Sequence, residues 1–302
     1  MISKIYSIAT LIVASQVAIS AQEQINLQVS NFVRPLAEKW AAEYSQTGAN
    51  VKINFVSASA TNDPNTISLV TSDNISTNDE AVYFGRYAVL PVVNKDSEAE
   101  QLLNGKRLNA KKLKNILFVK DEFADDDNKK ESKAERDLHI YSGNGKLSVS
   151  RSYAAHFDHV AADYKGKRIS GDDSFLNLAL RKDPLGITIN IISNIFDLET
   201  RQLRSELSLV ALDLGRHADD IFDSANLDNI IALLENNNFD EIAIGNAGLV
   251  YDHNNTTLNN FVSWILTNGN QYVHEFGLLQ LPQKDLAAQL HQIGLRGELA
   301  LK

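Results

Sequence analysis

Between Ile25 and Val56 the hydrophobic pattern changes period twice, and that switch narrows the possible folds more than any other feature of the chain. Ile25–Val29 alternates as a short strand does. Val33, Leu36, Ala37, Trp40, Ala41 and Tyr44 then recur at the spacing that lines one face of a helix, and Gly48 ends the run. Ser30 or Asn31 is placed to cap that helix. Val51–Val56 returns to alternation, with Val51, Ile53 and Phe55 on one side. Strand, helix and strand in so short a span make a βαβ unit, which requires parallel strands joined by a right-handed crossover.

The same alternation continues down the chain. Ile67–Ser72, Val82–Val93, Leu138–Tyr141, Gly186–Ile192, Leu207–Leu212 and Glu241–Tyr251 read as strands. Ser97–Asn104, Ala110–Phe118, Ser150–Tyr164, Asp172–Arg181, Leu227–Glu235 and a terminal run from Asp285 read as helices. Leu258, Phe261, Val262, Ile265 and Leu266 form the stripe of a further buried helix. Gly269 interrupts it, and Gly277 releases the chain into an extended LLQLP. The charge-mixed DEFADDDNKKESKAERD has no apolar period and reads as a surface excursion. These elements specify an α/β fold with mainly parallel sheets. A chain of 302 residues has room for two lobes, and the natural cut points lie near Pro91 and Asn246.

Composition removes several function classes. Lys+Arg is 29 against Asp+Glu 38, a net charge of −9, so no basic stripe is available for nucleic acid or an anionic membrane. A small anion remains possible, because local N–H groups and hydroxyls can hold it whatever the global charge. Lys4, the apolar run Ile8–Ile19 and the small residues around Ser20-Ala21 have the pattern of a secretory signal peptide, expected over residues 1–21. No later stretch is apolar for long enough to span a membrane. Cysteine is absent, which excludes disulfides, thiolate metal sites and a lipid-anchored first cysteine. The expectation is a free periplasmic or secreted protein.

Several segments, in order, resemble the phosphate-type periplasmic binding proteins, the solute receptors of ABC importers. They are the PLAEKWAAEY run at Pro35–Tyr44 with Val51–Phe55, ISLVTSDNIS at Ile67–Ser76, and AVLPVVNKD at Ala88–Asp96 with the helix at Leu108–Phe118. Gly166–Gly186, EIAIGNAGLVY at Glu241–Tyr251 and the closing LNNFVSWILTNGNQYVHEFGLLQLP at Leu258–Pro282 complete the set. The resemblance implies a two-lobed periplasmic binding protein fold with mainly parallel sheets and two crossover strands. The first lobe would comprise residues 22–90 plus 247–302, and the second residues 91–246. It also implies capture of phosphate or a related oxyanion between the lobes, an inner-membrane ABC permease as partner, and no cofactor.

The resemblance points to three groups of ligand-binding residues. Ser57 and Ser59 lie in the small-residue loop after the second strand, where an ordinary capping role is the alternative. Ser72-Asp73 ends a strand, and Asp73 matches the family carboxylate that reads the proton on phosphate; the alternative is an Asx turn. Ser150, Arg151 and Ser152 open a helix in the second lobe, where the family pattern is broken: the glycines are displaced to Gly143 and Gly145. Arg151 can pair bidentately with an oxyanion or stand in solvent. His156 and His159 lack further metal ligands, and Asp125-Asp126-Asp127 lacks a calcium-loop pattern. Gly143-Asn144-Gly145 is not followed by the Gly-Lys-Ser/Thr of a phosphate loop, and no nucleophile motif is present, so an enzyme is not expected. The competing expectation is an interaction or adaptor protein that keeps the fold with a non-binding pocket.

Overall fold

The computed structural model describes residues 22–57, 63–73, 80–119 and 132–294. The expected signal peptide, Ser59 and the Asp125-Asp126-Asp127 run lie outside these residues. In chain order the strands are β1 (Glu23–Gln28), β2 (Val51–Phe55), β3 (Thr66–Thr71), β4 (Val82–Asn94), β5 (His139–Gly143), β6 (Lys167–Ile169), β7 (Gly186–Ile191), β8 (Leu207–Leu209) and β9 (Ala243–Val250). They join in the order β2-β1-β3-β9-β4-β7-β5-β6, with β8 also on β4.

The βαβ unit read from the sequence forms as expected. β1 runs parallel to β2, with Leu27 opposite Phe55, and parallel to β3, with Leu27 opposite Ile67. Across the sheet, β5 runs parallel to β6 and to β7. β4 and β9, antiparallel to each other, separate these two parallel groups. Every residue of β7 is buried, including Thr188 and Asn190, whose side chains donate to the Tyr141 and Asp173 carbonyls.

β4 accommodates its proline by position. Its pairing with β9 ends at Val89, and its pairing with β8 begins at Val92. The Pro91 carbonyl accepts from Val210 N–H at 3.1 Å, so the nitrogen side of Pro91 faces the gap between these two partners. The missing donor therefore costs no ladder bond.

Both ends of the chain build one side of the sheet. In the helix Arg34–Ser45 the residues Leu36, Ala37, Trp40 and Tyr44 turn inward, the stripe read from the sequence. The Trp40 indole N–H donates to the Gly269 carbonyl at 2.9 Å, and its ring meets Phe84 edge-on. A Cβ on Gly269 would stand 2.8 Å from Trp40 Nε1, so the close approach requires glycine. The helix Thr256–Thr267 buries all five residues of its predicted stripe. The extended segment after Gly277 pairs with β4 at one point, where Arg86 and Leu279 exchange two 2.8 Å hydrogen bonds.

Three local expectations are corrected. Neither Ser30 nor Asn31 caps the first helix through its side chain; the helix starts at Arg34, and the Ser30 carbonyl accepts from Val33 and Arg34 N–H. The helix expected over Ser150–Tyr164 stops at His156. Asp158 there takes a positive φ of 60°, and His159 turns back to stack on Phe118 at 4.5 Å between ring centroids. A helix over Arg216–Asp223 stands where no element was expected from the sequence. Its Asp219 accepts from Leu214 N–H and pairs with Arg107, which gives that acid a structural role.

Candidate ligand-binding cleft

In an open parallel arrangement the loops at the carboxyl ends of the strands surround the binding crevice. Here those loops enclose a cavity of about 310 Å³. Ser30, Asn31 and Phe32 after β1 form one wall. Gly145–Ser148 after β5, Gly171–Asp173 after β6, and Asn194 after β7 form the other. The cavity therefore lies between the two parallel groups of strands. Ser30 Oγ is buried and has no hydrogen-bond partner among the described residues, leaving an unsatisfied polar atom in the wall.

Behind Phe32 lies a second polar cluster. Phe32 packs on Tyr87 of β4, with 5.7 Å between ring centroids. Tyr87 is fully buried and donates its hydroxyl to Asp73 Oδ1 at 3.2 Å. Burial first, then the neighbouring Asp73 charge, pushes the Tyr87 phenol well above its ordinary range, so it serves as a donor throughout physiological pH. Arg151 approaches the same carboxylate from the helix Val149–His156, with Nε 3.9 Å from Asp73 Oδ2. Asp73 is nearly covered, whereas the Arg151 side chain is 45% exposed.

The predicted site residues divide accordingly. Asp73 and Arg151 are brought together, although they come from opposite sides of the β4–β9 ribbon. Ser152 lies near the same Tyr87 hydroxyl, while its own hydroxyl donates to the Val149 carbonyl. Ser72 is held against β9, where its N–H donates to the Asn246 carbonyl and its Oγ accepts from Asn246 N–H. Ser150 is fully buried; its Oγ accepts from Gly143 N–H at 2.8 Å, which ties the helix to the end of β5. Ser57 lies just after β2, and among the described residues neither it nor any other predicted site residue lines the cavity itself.

Sequence reasoning missed three contributors to the cavity wall. The Ser30–Phe32 turn was read only as a helix start. Ser148 and Asp173 were not singled out, yet they form a buried pair. Ser148 donates its hydroxyl to Asp173 Oδ1 at 2.6 Å, and Val149 N–H donates to Asp173 Oδ2 at 2.8 Å. Asp173 is 8% exposed; burial pushes its carboxyl up, and the two hydrogen bonds pull in the opposite direction. A Cβ on Gly143 would collide with Ser148 Oγ and Asp173 Oδ1, so that glycine admits the pair. The Gly143-Asn144-Gly145 run was the available signal.

The architecture is the periplasmic binding protein fold: parallel groups of strands on either side of two antiparallel crossing strands, with a crevice at the strand ends. Solved structures agree. The chain is similar to a putative phosphate ABC transporter substrate-binding protein from Clostridium perfringens solved with bound phosphate, at a TM-score of 0.56 and 12% identity over 86% of this chain and 100% of that one. It is also similar to a possible phosphate binding protein from Planctomyces limnophilus, at 0.50 and 10% identity over 93% and 99%. OxyR of Corynebacterium glutamicum, solved as a mutant with hydrogen peroxide bound, shares the fold at 0.52 and 13% identity over 91% of this chain and 70% of that one. No family model and no curated protein matches the chain. Among the described residues no helix is long and apolar enough to cross a membrane.

Proposed function

We propose that the chain is a periplasmic or secreted binding protein that captures phosphate or a similar oxyanion between two lobes for an inner-membrane ABC permease. The lobes are residues 22–90 plus 247–302, and residues 91–246. The observation that carries this reading is the approach of Arg151 to Asp73 from opposite sides of the crossing strands. A guanidinium beside a carboxylate where the two sides of the sheet meet supplies both halves of oxyanion recognition. Arg151 offers paired donors to the oxygens, and Asp73 accepts a hydrogen bond from a protonated anion while repelling a fully ionised one. Two of the similar proteins are named for phosphate, and that ligand chemistry agrees with this assignment. Calorimetry of the full chain with phosphate, sulfate and molybdate at fixed pH tests it. Heat from at least one, with affinity weakened in Arg151→Ala, is the expected outcome, and no heat from any of them overturns it.

A second reading, an interaction protein with a non-binding pocket, is favoured by one observation. Asp173 already satisfies the start of the helix Val149–His156, where an anion would otherwise find a free donor. Capture of a defined protein partner by a chain silent toward all three anions is the result that selects this reading.

A further inference from the structure

We propose that Asp173 is a specificity-determining residue of the cleft, a tethered carboxylate that stands in for an anionic ligand at the β5–helix junction and so limits how much negative charge the cavity accepts. The proposal rests on the cleft reading above and sharpens its ligand class to anions of low charge.

The Asp173 carboxylate makes the contacts that an oxyanion makes at such a place. One oxygen accepts from a hydroxyl, that of Ser148, and the other from a backbone N–H at the first turn of a helix, that of Val149. The backbone is shaped around it: Gly143 has no Cβ where Ser148 and Asp173 meet. Asn190 Nδ2 donates to the Asp173 carbonyl at 2.8 Å, which fixes the residue from behind. Yet Asp173 is also part of the cavity wall, together with Asp172, and among the described residues Lys146 is the only basic one that lines the cavity with them. A ligand entering the cavity meets two acids on one wall. Across from them lies the β1 turn, Ser30–Phe32. Like charges repel, and the more strongly the less solvent stands between them. A singly charged or protonated anion is therefore tolerated better than a doubly charged one, and removing the Asp173 charge relaxes that limit.

The test is calorimetry with inorganic phosphate and sulfate on the full wild-type chain and on Asp173→Asn, with thermal melts to confirm folding. The expected result is that Asp173→Asn gains affinity for sulfate by about tenfold or more relative to wild type, with a smaller gain for phosphate near pH 5, where it is mainly singly charged. Equal affinities in the two proteins overturn the proposal and leave the cleft reading standing. Binding by Asp173→Asn where wild type is silent supports the role of Asp173 and removes anion capture as the wild-type function. Silence from both folded proteins overturns both. Should Asp173→Asn not fold, Asp173→Ser removes the charge with a smaller polar side chain and is read by the same outcomes.

Discussion

Arg151 Nε stands 3.9 Å from Asp73 Oδ2, a spacing set by two elements that never pair with each other, the loop after β3 and the helix after β5. The contact therefore reports the angle between the two sides of the sheet. Arg151→Ala removes the guanidinium, the charged donor of this cluster. Oxyanion affinity should fall by about 10- to 100-fold, as for a lost charge-assisted hydrogen bond. Thermal stability should hardly change, because the side chain is 45% exposed. A drop in melting temperature without a loss of affinity would place Arg151 in the scaffold.

Asp73→Asn separates discrimination from affinity. The amide can still receive the Tyr87 hydroxyl, but it no longer repels a fully ionised anion. The ratio of phosphate to sulfate affinity should fall by about tenfold. An unchanged ratio in calorimetry would remove Asp73 from the site.

Gly269→Ala tests the join between the two ends of the chain. The added methyl falls within 2.8 Å of Trp40 Nε1, and the indole has no room to retreat because Phe84 lies edge-on to it. A loss of about 1–3 kcal/mol in urea unfolding is expected, with altered tryptophan fluorescence. Trp40→Phe in the same background should recover part of that loss.

Glu235 links acid sensitivity to a contact between distant segments. It receives Gln280 N–H at 2.6 Å and His274 Nε2 at 2.7 Å. Burial alone would push its carboxyl up, but those hydrogen bonds and the His274 and Arg86 charges outweigh burial and hold it below its ordinary value of 4.5. A depressed folded value means that the unfolded chain takes up the proton first as pH falls. The stabilisation is complete above about pH 4.5 and is lost as pH falls through the lowered folded value. Wild type should thus lose its advantage over Glu235→Gln as pH falls below about 4.5 in urea unfolding. A constant difference through that fall would assign the contribution to packing.

Periodicity made most of the fold legible. The stripe Leu36, Ala37, Trp40, Tyr44 and the stripe Leu258, Phe261, Val262, Ile265, Leu266 turned inward as read, because a helix face long enough to be covered leaves a 3.6-residue record. The helix that ends early at His156 did not, since a positive φ at Asp158 and the pull of Phe118 on His159 are tertiary effects with no local pattern. The site was harder for the same reason. Asp73 and Arg151 were found one at a time through resemblance, but their approach depends on how the two sides of the sheet are joined. Asp173 looked like one acid among several at a helix start. Only its contact with Ser148, twenty-five positions away, gives it meaning.

The hydrogen bond from Trp40 to Gly269 has a consequence for biogenesis. A ribosome finishes the segment holding Trp40 long before it makes Gly269, 229 positions on, and β3 likewise waits for β9. The part of the protein synthesised first thus completes its native contacts only after nearly all of the chain has been made.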